Sequence, residues 1–269
     1  MSKNNPEKKA KKIILDIMIV LLLLVAIVSG GYIVIYYYTS SQNEKKFEEI
    51  KEFVDEDIAY ENGEPAYVKQ GDDYILAKYK RILEENADFI GWLKIDGTNI
   101  DYPVMYTPND PEYYLHTDFD GEYSAAGTLF VDSNSNPHKE TSDNILIYGH
   151  NMKAGTMFHD LLSYEDEEFY KEHKLITFDT IDELGTYEVI AAMRTEVYAD
   201  DDTEHYHYYE FFNAADKEEF DEYVSFAKSN TPYHIETTAE YGDKLITLST
   251  CAYHNDNGRY VVVAKKITE

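Results

Sequence analysis

Residues Leu245 to Cys251 read LITLSTC, and residues Arg259 to Ala264 read RYVVVA. Both runs are apolar and rich in β-branched side chains, which is typical of buried strands. Turn formers dominate the segment between them, 252–258, so the two strands are predicted to pair as a hairpin. This pairing would place Cys251 and Arg259 near each other at one edge of a sheet.

A third apolar run, 145–150, reads ILIYGH and ends in His150. A thiol, an imidazole and a guanidinium, each at a strand end, indicate an active site. An adjacent imidazole or cation promotes the thiolate form of Cys251. Arg259 stays protonated and cannot act as a base, so it would donate hydrogen bonds to an oxyanion. A lone cysteine is also often a small buried apolar residue, and a packing role stays open at this point.

The rest of the chain outside the N-terminal region alternates short strands with a few helices. Strands are predicted at 92–95, 100–106, 127–132, 145–150, 175–180, 185–198, 244–251 and 259–267, and helices at 45–57, 74–87, 157–173 and 213–229. Many short strands at close spacing predict a mostly β fold, a barrel or sandwich with inserted helices.

The N-terminal region contains an uncharged run, 17–38, that is long enough to span about 30 Å of hydrocarbon as a helix. Lysines dominate the charges before this run, and the positive-inside rule then places the N-terminus in the cytoplasm. A cleaved signal peptide is the alternative. No clear small-residue cleavage site follows the run, so the sequence favours an uncleaved, single-pass anchor with an extracellular domain.

The net charge of the chain argues against one class of function, the binding of nucleic acid. Lys and Arg number 24 against 52 Asp and Glu, so the net charge is 24 − 52 = −28. This excess of acid argues against binding nucleic acid through its phosphates. The acidic runs 165–168 and 200–202 lack a calcium-loop pattern, and His205 and His207 have no partner cysteine. They are interpreted as solvated faces, and no metal or cofactor is predicted.

The sequence resembles the class B sortases, transpeptidases of the Gram-positive cell surface. The run 247–251 with the downstream Arg259 resembles the family's TLxTC motif and its arginine, and 148–152 (YGHNM) resembles its histidine segment. The resemblance extends over 87–267 and includes 127–132 (GTLFVD) and 156–158 (TMF).

This resemblance implies an eight-stranded sortase β-barrel with N-terminal helices and an inserted helix before the penultimate strand. It implies that Cys251 attacks the threonine carbonyl of a C-terminal sorting signal of the NPxTx or LPxTG-like kind. A thioester would form, and an amine on a peptidoglycan precursor would resolve it. His150 would be the general acid and base, and Arg259 would stabilise the oxyanion.

The resemblance also implies a substrate groove that includes Ser249, Thr250 and Tyr206, with the segment 198–210 as one wall. A groove asparagine of the family appears here as His116, a departure that bears on recognition of the signal's first residue. The implied organisation is a cytoplasmic N-terminus (1–12), a signal-anchor (13–38), a stalk with an N-terminal helical segment (39–75) and a catalytic domain (76–269).

Three other functions stay open on the sequence. A cysteine peptidase would hydrolyse surface peptides with water in place of the amine. A pilus-building sortase would use an amine of a pilin subunit. In a non-enzymatic anchored binding module, Cys251 would only pack.

Overall fold

The computed structural model describes residues 6–54, 56–61, 63–71, 73–199, 201–252 and 257–267. Parts of several predictions above lie outside these residues, namely 1–5 of the N-terminus, position 55 of the helix at 45–57, positions 62 and 72 of the stalk, Asp200 of the acidic run, 253–256 of the turn and 268–269 of the catalytic domain. The chain divides into two compact units, one ending at Gln42 and the other beginning at Asn43.

Helix α1, Pro6–Lys51, carries the apolar run. Within the described residues it is the one helix long and apolar enough to cross a membrane, and its apolar window is wholly exposed. Large side chains from Ile13 to Tyr38 point outward. A helix of a soluble core would bury one such face, so this surface is compatible with a lipid environment.

The strands of the second unit follow in chain order. They are β1 Tyr60–Glu61, β2 Glu64–Pro65, β3 Tyr67–Gln70, β4 Asp73–Leu76, β5 Phe89–Lys94, β6 Asp101–Met105, β7 Leu129–Val131, β8 Asn144–Tyr148, β9 Leu175–Thr180, β10 Thr186–Glu196, β11 Leu245–Cys251 and β12 Gly258–Lys266. Strands β5 to β12 form a closed barrel in the order β10-β12-β11-β8-β7-β6-β5-β9. The eight-stranded barrel expected above is therefore confirmed.

In the described part of the chain, three further α-helices accompany the barrel, α2 Lys80–Glu85, α3 Glu167–Glu172 and α4 Lys217–Ser229. Helix α4 begins later than the predicted position 213 because Asp216 caps it, accepting hydrogen bonds from the backbone of Glu218 and Glu219. The predicted helix 157–173 is divided into a 3₁₀ segment, Phe158–Glu165, and α3, because Asp166 adopts an extended backbone and caps α3.

The segment before the barrel is predicted above as a stalk with a helix at 45–57. Helix α1 includes the first part of that helix and ends at Lys51, and two short hairpins, β1–β2 and β3–β4, follow it. The helix predicted at 74–87 begins only at Ala77, because Ile75 and Leu76 are buried and Leu76 N donates to Ile181 O at 2.7 Å. Tertiary pairing thus outweighs the local helical spacing.

The two faces of β11 have different partners. Ile246 and Leu248 point into the barrel core, whereas Leu245 contributes to a second cluster with Phe220 and Tyr223 of α4. Since side chains alternate across a strand, this helix covers the outer face of β11 and β12. The inserted helix therefore packs directly behind the strand that ends in the cysteine.

A buried ion pair fixes the start of the domain to the barrel. Lys78 Nζ lies 2.7 Å from an oxygen of Asp179 on β9, and the two side chains are 9% and 8% exposed. The other oxygen of Asp179 accepts from Gly185 N at 2.9 Å. Removing the lysine would leave a buried carboxylate without its cation.

We therefore expect Lys78→Met to lower the free energy of unfolding by about 3–5 kcal/mol. Guanidinium unfolding of the full chain in detergent, followed by the fluorescence of the single tryptophan, Trp92, would measure this. Trp92 pairs with Asp179 across β5 and β9 and reports on that region. Lys171→Met is the matched control, because its ion pairs with Glu167 and Glu168 are exposed to water and should contribute little to stability. Equal losses in both variants would contradict the assignment.

Candidate active site

The parallel pairing of β8 and β11 brings two of the predicted residues to one end of the barrel. The last paired residues are Tyr148 and Ser249, and Gly149 N donates to Ser249 O at 3.2 Å. His150 and Cys251 each lie two residues beyond this pair. Because parallel strands end at the same edge, their side chains are brought to the same side of the molecule.

The antiparallel pairing of β11 and β12 adds the third residue. Cys251 is the direct partner of Arg259, as the hairpin prediction anticipated. Both side chains are partly exposed, and Arg259 Nη1 donates to the carbonyl of Gly258 at 3.0 Å. Toward the described residues the guanidinium uses one of its five N–H donors, so it can also donate to a group bound next to the thiol.

Cys251, His150 and Arg259 line one open cavity of about 430 Å³. Its remaining walls are largely apolar and aromatic, with two carboxylates. They are formed by Pro111, Glu112, Leu115, Phe130, Asp132, Ser133, Tyr148, Gly149, Val197, Tyr208, Tyr209, Ser249 and Thr250. A cavity of this size and lining, with convergent polar groups, is typical of a site for a small ligand or a peptide segment.

The protonation of His150 follows from its contacts. Nε2 lies 2.9 Å from the carbonyl oxygen of Leu115. A carbonyl only accepts, so Nε2 carries the hydrogen and Nδ1 is the atom that gains or loses a proton. Burial lowers the pKa of His150, with a further lowering from His116, and the Leu115 hydrogen bond opposes both. The lowered pKa of His150 favours the neutral ring, whose Nδ1 can accept a proton.

Two glycines make room for this arrangement. A Cβ atom on Gly149 would lie 2.4 Å from Leu129 Cδ2, so the strand can pass only without a side chain. Gly127 has a φ of +58°, and a Cβ there would lie 2.4 Å from Tyr114 O and 2.5 Å from Leu115 O. Gly127 thus allows the carbonyl that accepts from His150 to occupy its position.

The backbone of Cys251 is held by a side chain from the segment that follows β8. Asn151 Nδ2 donates to the carbonyl of Cys251 at 2.9 Å, and Asn151 Oδ1 lies 2.8 Å from His159 Nδ1. Thr250 Oγ1 donates to the carbonyl of Gly149 at 2.7 Å. The end of β11 and the segment after β8 are therefore joined by side-chain hydrogen bonds as well as by the sheet.

Of the four predicted groove residues, two line the cavity and two do not. Ser249 and Thr250 line the cavity, whereas Tyr206 stacks on Phe226 of α4 at a ring distance of 4.7 Å. His116 is exposed and stacks on His150 at 5.4 Å, outside the cavity lining. Substrate contacts by these residues stay predictions.

Tyr208 was not singled out from the sequence, although it belongs to the predicted wall at 198–210. Its hydroxyl lies 2.8 Å from Ser249 Oγ, and burial raises the pKa of Tyr208 to about 12. It is therefore a neutral phenol that fixes the serine hydroxyl at the cavity wall. Leu115 was also missed, because a backbone acceptor has no signal in the sequence.

Among the residues that the structure describes, no group of three or more His, Cys, Asp or Glu side chains is arranged to hold a metal ion. His205 bonds Asp202 through Nδ1 at 3.1 Å and stacks on Tyr198 at 4.2 Å.

Comparison with known proteins places this geometry in a family. A sortase-domain family model matches residues 93–267. Sortase B of Listeria monocytogenes is 35% identical over 186 residues, which are 68% of this chain and 72% of that protein. The chain belongs to the class B sortases. Sortase B of Staphylococcus aureus is 31% identical over 199 residues, 72% of this chain and 77% of the relative.

Solved structures of class B sortases share the fold. Sortase B from Bacillus anthracis in complex with AAEK1 has a TM-score of 0.70 at 27% identity, covering 87% of this chain and 100% of that one. The Staphylococcus aureus sortase B–substrate complex also has a TM-score of 0.70, at 25% identity, covering 85% and 98%. The protein is thus a cysteine transpeptidase of the sortase B type, as predicted.

Proposed function

We propose that this class B sortase cleaves a C-terminal sorting signal after threonine through a thioester on Cys251, and transfers the protein to an amine of a peptidoglycan precursor. This proposal rests on one observation, that the chain's only thiol shares a cavity with His150 and Arg259. A cysteine transpeptidase needs a thiol nucleophile, and this chain offers no second candidate.

In the first half-reaction, the thiol of Cys251 gives up its proton to Nδ1 of His150, the sulfur attacks the threonine carbonyl carbon, and a C–S bond forms. The carbonyl oxygen gains negative charge and accepts hydrogen bonds from Arg259. The C–N bond then breaks, and the leaving amine takes the proton that His150 holds at Nδ1. The C-terminal part of the signal departs and the rest stays as a thioester.

In the second half-reaction, the amine of the acceptor attacks the thioester carbon and gives up a proton to His150. A C–N bond forms, the C–S bond breaks, and the thiol of Cys251 is restored. The apolar walls of the cavity favour this outcome, because a peptide seated on them limits the water available for hydrolysis.

The proposed partners are surface proteins that carry a sorting signal of the NPxTx or LPxTG-like kind. The proposed location is the cell membrane, with helix α1 as a single-pass anchor, the N-terminus in the cytoplasm and the catalytic domain outside. The exposed apolar side chains of α1 and the lysines that precede its apolar run support this arrangement.

The test is a set of sorting-signal peptides incubated with the full chain in detergent, with and without diglycine or a diaminopimelate-bearing acceptor. Mass spectrometry should detect a thioester on Cys251, cleavage after threonine and an amine-joined product. The acceptor should increase turnover, because an amine resolves the thioester faster than water.

Three outcomes would redirect the proposal. Hydrolysis alone with every amine tried would favour a cysteine peptidase. Joining only to a lysine-bearing pilin peptide would favour a pilus-building enzyme. Neither cleavage nor an adduct with any peptide would contradict the proposed reaction.

A further inference from the structure

A second histidine lies against the proposed general acid and base. His116 and His150 stack with ring centroids 5.4 Å apart and ring planes 23° apart. His116 is exposed, whereas His150 is partly buried. His116 therefore covers one face of the His150 imidazole from the solvent side, within the distance at which aromatic rings attract each other.

We propose that His116 is a positioning residue for His150. Its ring and the Leu115 carbonyl together fix the orientation of the His150 imidazole, and with it the direction in which Nδ1 exchanges a proton. This proposal rests on the proposed function, in which His150 transfers the proton. The imidazole is attached to the chain through Cγ and hydrogen-bonded at Nε2. With these two contacts alone, it can still rotate about the axis that joins them. A ring stacked on one face removes this freedom.

The segment that carries both contacts is itself held in place. The backbone N–H of Thr128 donates to Tyr114 O at 3.0 Å, and that of Ser124 donates to His116 O at 3.0 Å. Gly127 permits the close approach described above. Leu115 and His116 therefore form a rigid support, a requirement for a side chain that must stay aligned with a reacting bond.

The stack also couples the two rings electrostatically. When both imidazoles are protonated, like charges face each other and the cationic form of His150 is disfavoured. Other titratable or charged groups share the cavity with His150, namely Glu112, Asp132, Tyr148, Tyr208, Tyr209 and Arg259, besides Cys251. On the solvent side, His116 also contacts the ring of Tyr123 at 6.3 Å.

The alternative role for His116 is direct contact with the first residue of the sorting signal. The two roles predict different kinetics. A contact with substrate acts on KM and depends on the peptide used, whereas a positioning residue acts on kcat with every peptide. In the enzyme without substrate, the titration of His150 tests whether the two rings face each other, and kcat tests whether that contact matters for proton transfer.

The experiment compares His116→Asn and His116→Phe in the full chain in detergent. His116→Asn removes the ring, and kcat should fall about tenfold with KM unchanged. His116→Phe keeps a ring and should retain kcat within about threefold of the original enzyme above pH 7. In His116→Asn, NMR titration of histidine-labelled enzyme without peptide should show the pKa of His150 raised, because the facing charge is gone.

His173→Asn is the matched control, because His173 also stacks on a ring, Phe169 at 3.9 Å, and does not line the cavity. It should change neither kcat nor the titration of His150. Three results would overturn the proposal: an unchanged kcat and titration in His116→Asn, an effect on KM alone, or an equal loss of kcat in His116→Phe. The titration needs no reaction, so it remains informative if the proposed transpeptidation is not observed.

Discussion

Cys251→Ala should abolish cleavage of a sorting-signal peptide, with a loss of at least about 10⁴-fold and no thioester detectable by intact-protein mass spectrometry. The chain has one cysteine, so no neighbouring thiol can replace it. The backbone of Cys251 should keep its place, because Asn151 and the β12 pairing hold it independently of the sulfur.

The variant should remain folded. The side chain is small and partly exposed, so the free energy of unfolding should change by less than about 1 kcal/mol. Cys251→Ser is the companion variant, because it keeps a hydroxyl of similar size that is a far weaker nucleophile near pH 7. Amine-joined product from either variant at more than about a hundredth of the original rate would show that Cys251 is not the nucleophile.

His150→Gln should lower the rate of acylation by about 10²–10⁴-fold, the usual contribution of a general acid and base. The glutamine amide can still donate to the Leu115 carbonyl, which the Nε2–H of His150 does now at 2.9 Å. The variant therefore separates the loss of proton transfer from the loss of a structural hydrogen bond. Single-turnover acylation measured from about pH 5 to pH 9 would give both the rate and its pH dependence.

The pH profile of the original enzyme follows from the direction of the shift. Burial lowers the pKa of His150 below its ordinary value of 6.5, so the ring is neutral above that lowered pKa and charged below it. Activity should fall as the pH decreases through this value. The acid limb is the same whether the resting pair is neutral or a thiolate and an imidazolium, because both forms have the same net protonation. An unchanged acid limb in His150→Gln would assign the proton transfer to another group.

The distance along the chain between paired strands explains which parts of this fold were predictable from the sequence. Strands β11 and β12 are joined by a short connection, and their hairpin placed Cys251 opposite Arg259 as the sequence indicated. The parallel pairing of β8 with β11 joins segments about a hundred residues apart, and no local pattern marks it. Without the family resemblance, the sequence placed His150 only at a strand end and not next to the cysteine.

The finer parts of the site were beyond sequence reasoning for a different reason. Leu115 contacts His150 through its carbonyl, which every residue possesses, and the role proposed for His116 depends on the orientation of its ring. Tyr208 is one of several tyrosines in its segment, and only the structure distinguishes its contact with Ser249 from the stacking of Tyr206 on α4. Side-chain direction in an irregular segment depends on tertiary packing that residue spacing does not encode.

The parallel pairing of β8 and β11 has a consequence for how the enzyme acquires its reactivity. Pairings between distant segments form late and slowly during folding, because the intervening chain must first lose its freedom. Until β11 docks beside β8, His150 and Cys251 belong to separate parts of a mobile chain, and the sulfur has only the reactivity of an ordinary thiol. A partly folded molecule therefore contains Cys251, but the catalytic arrangement is not yet assembled. Formation of the thioester on Cys251 is therefore expected only once β8 and β11 are paired.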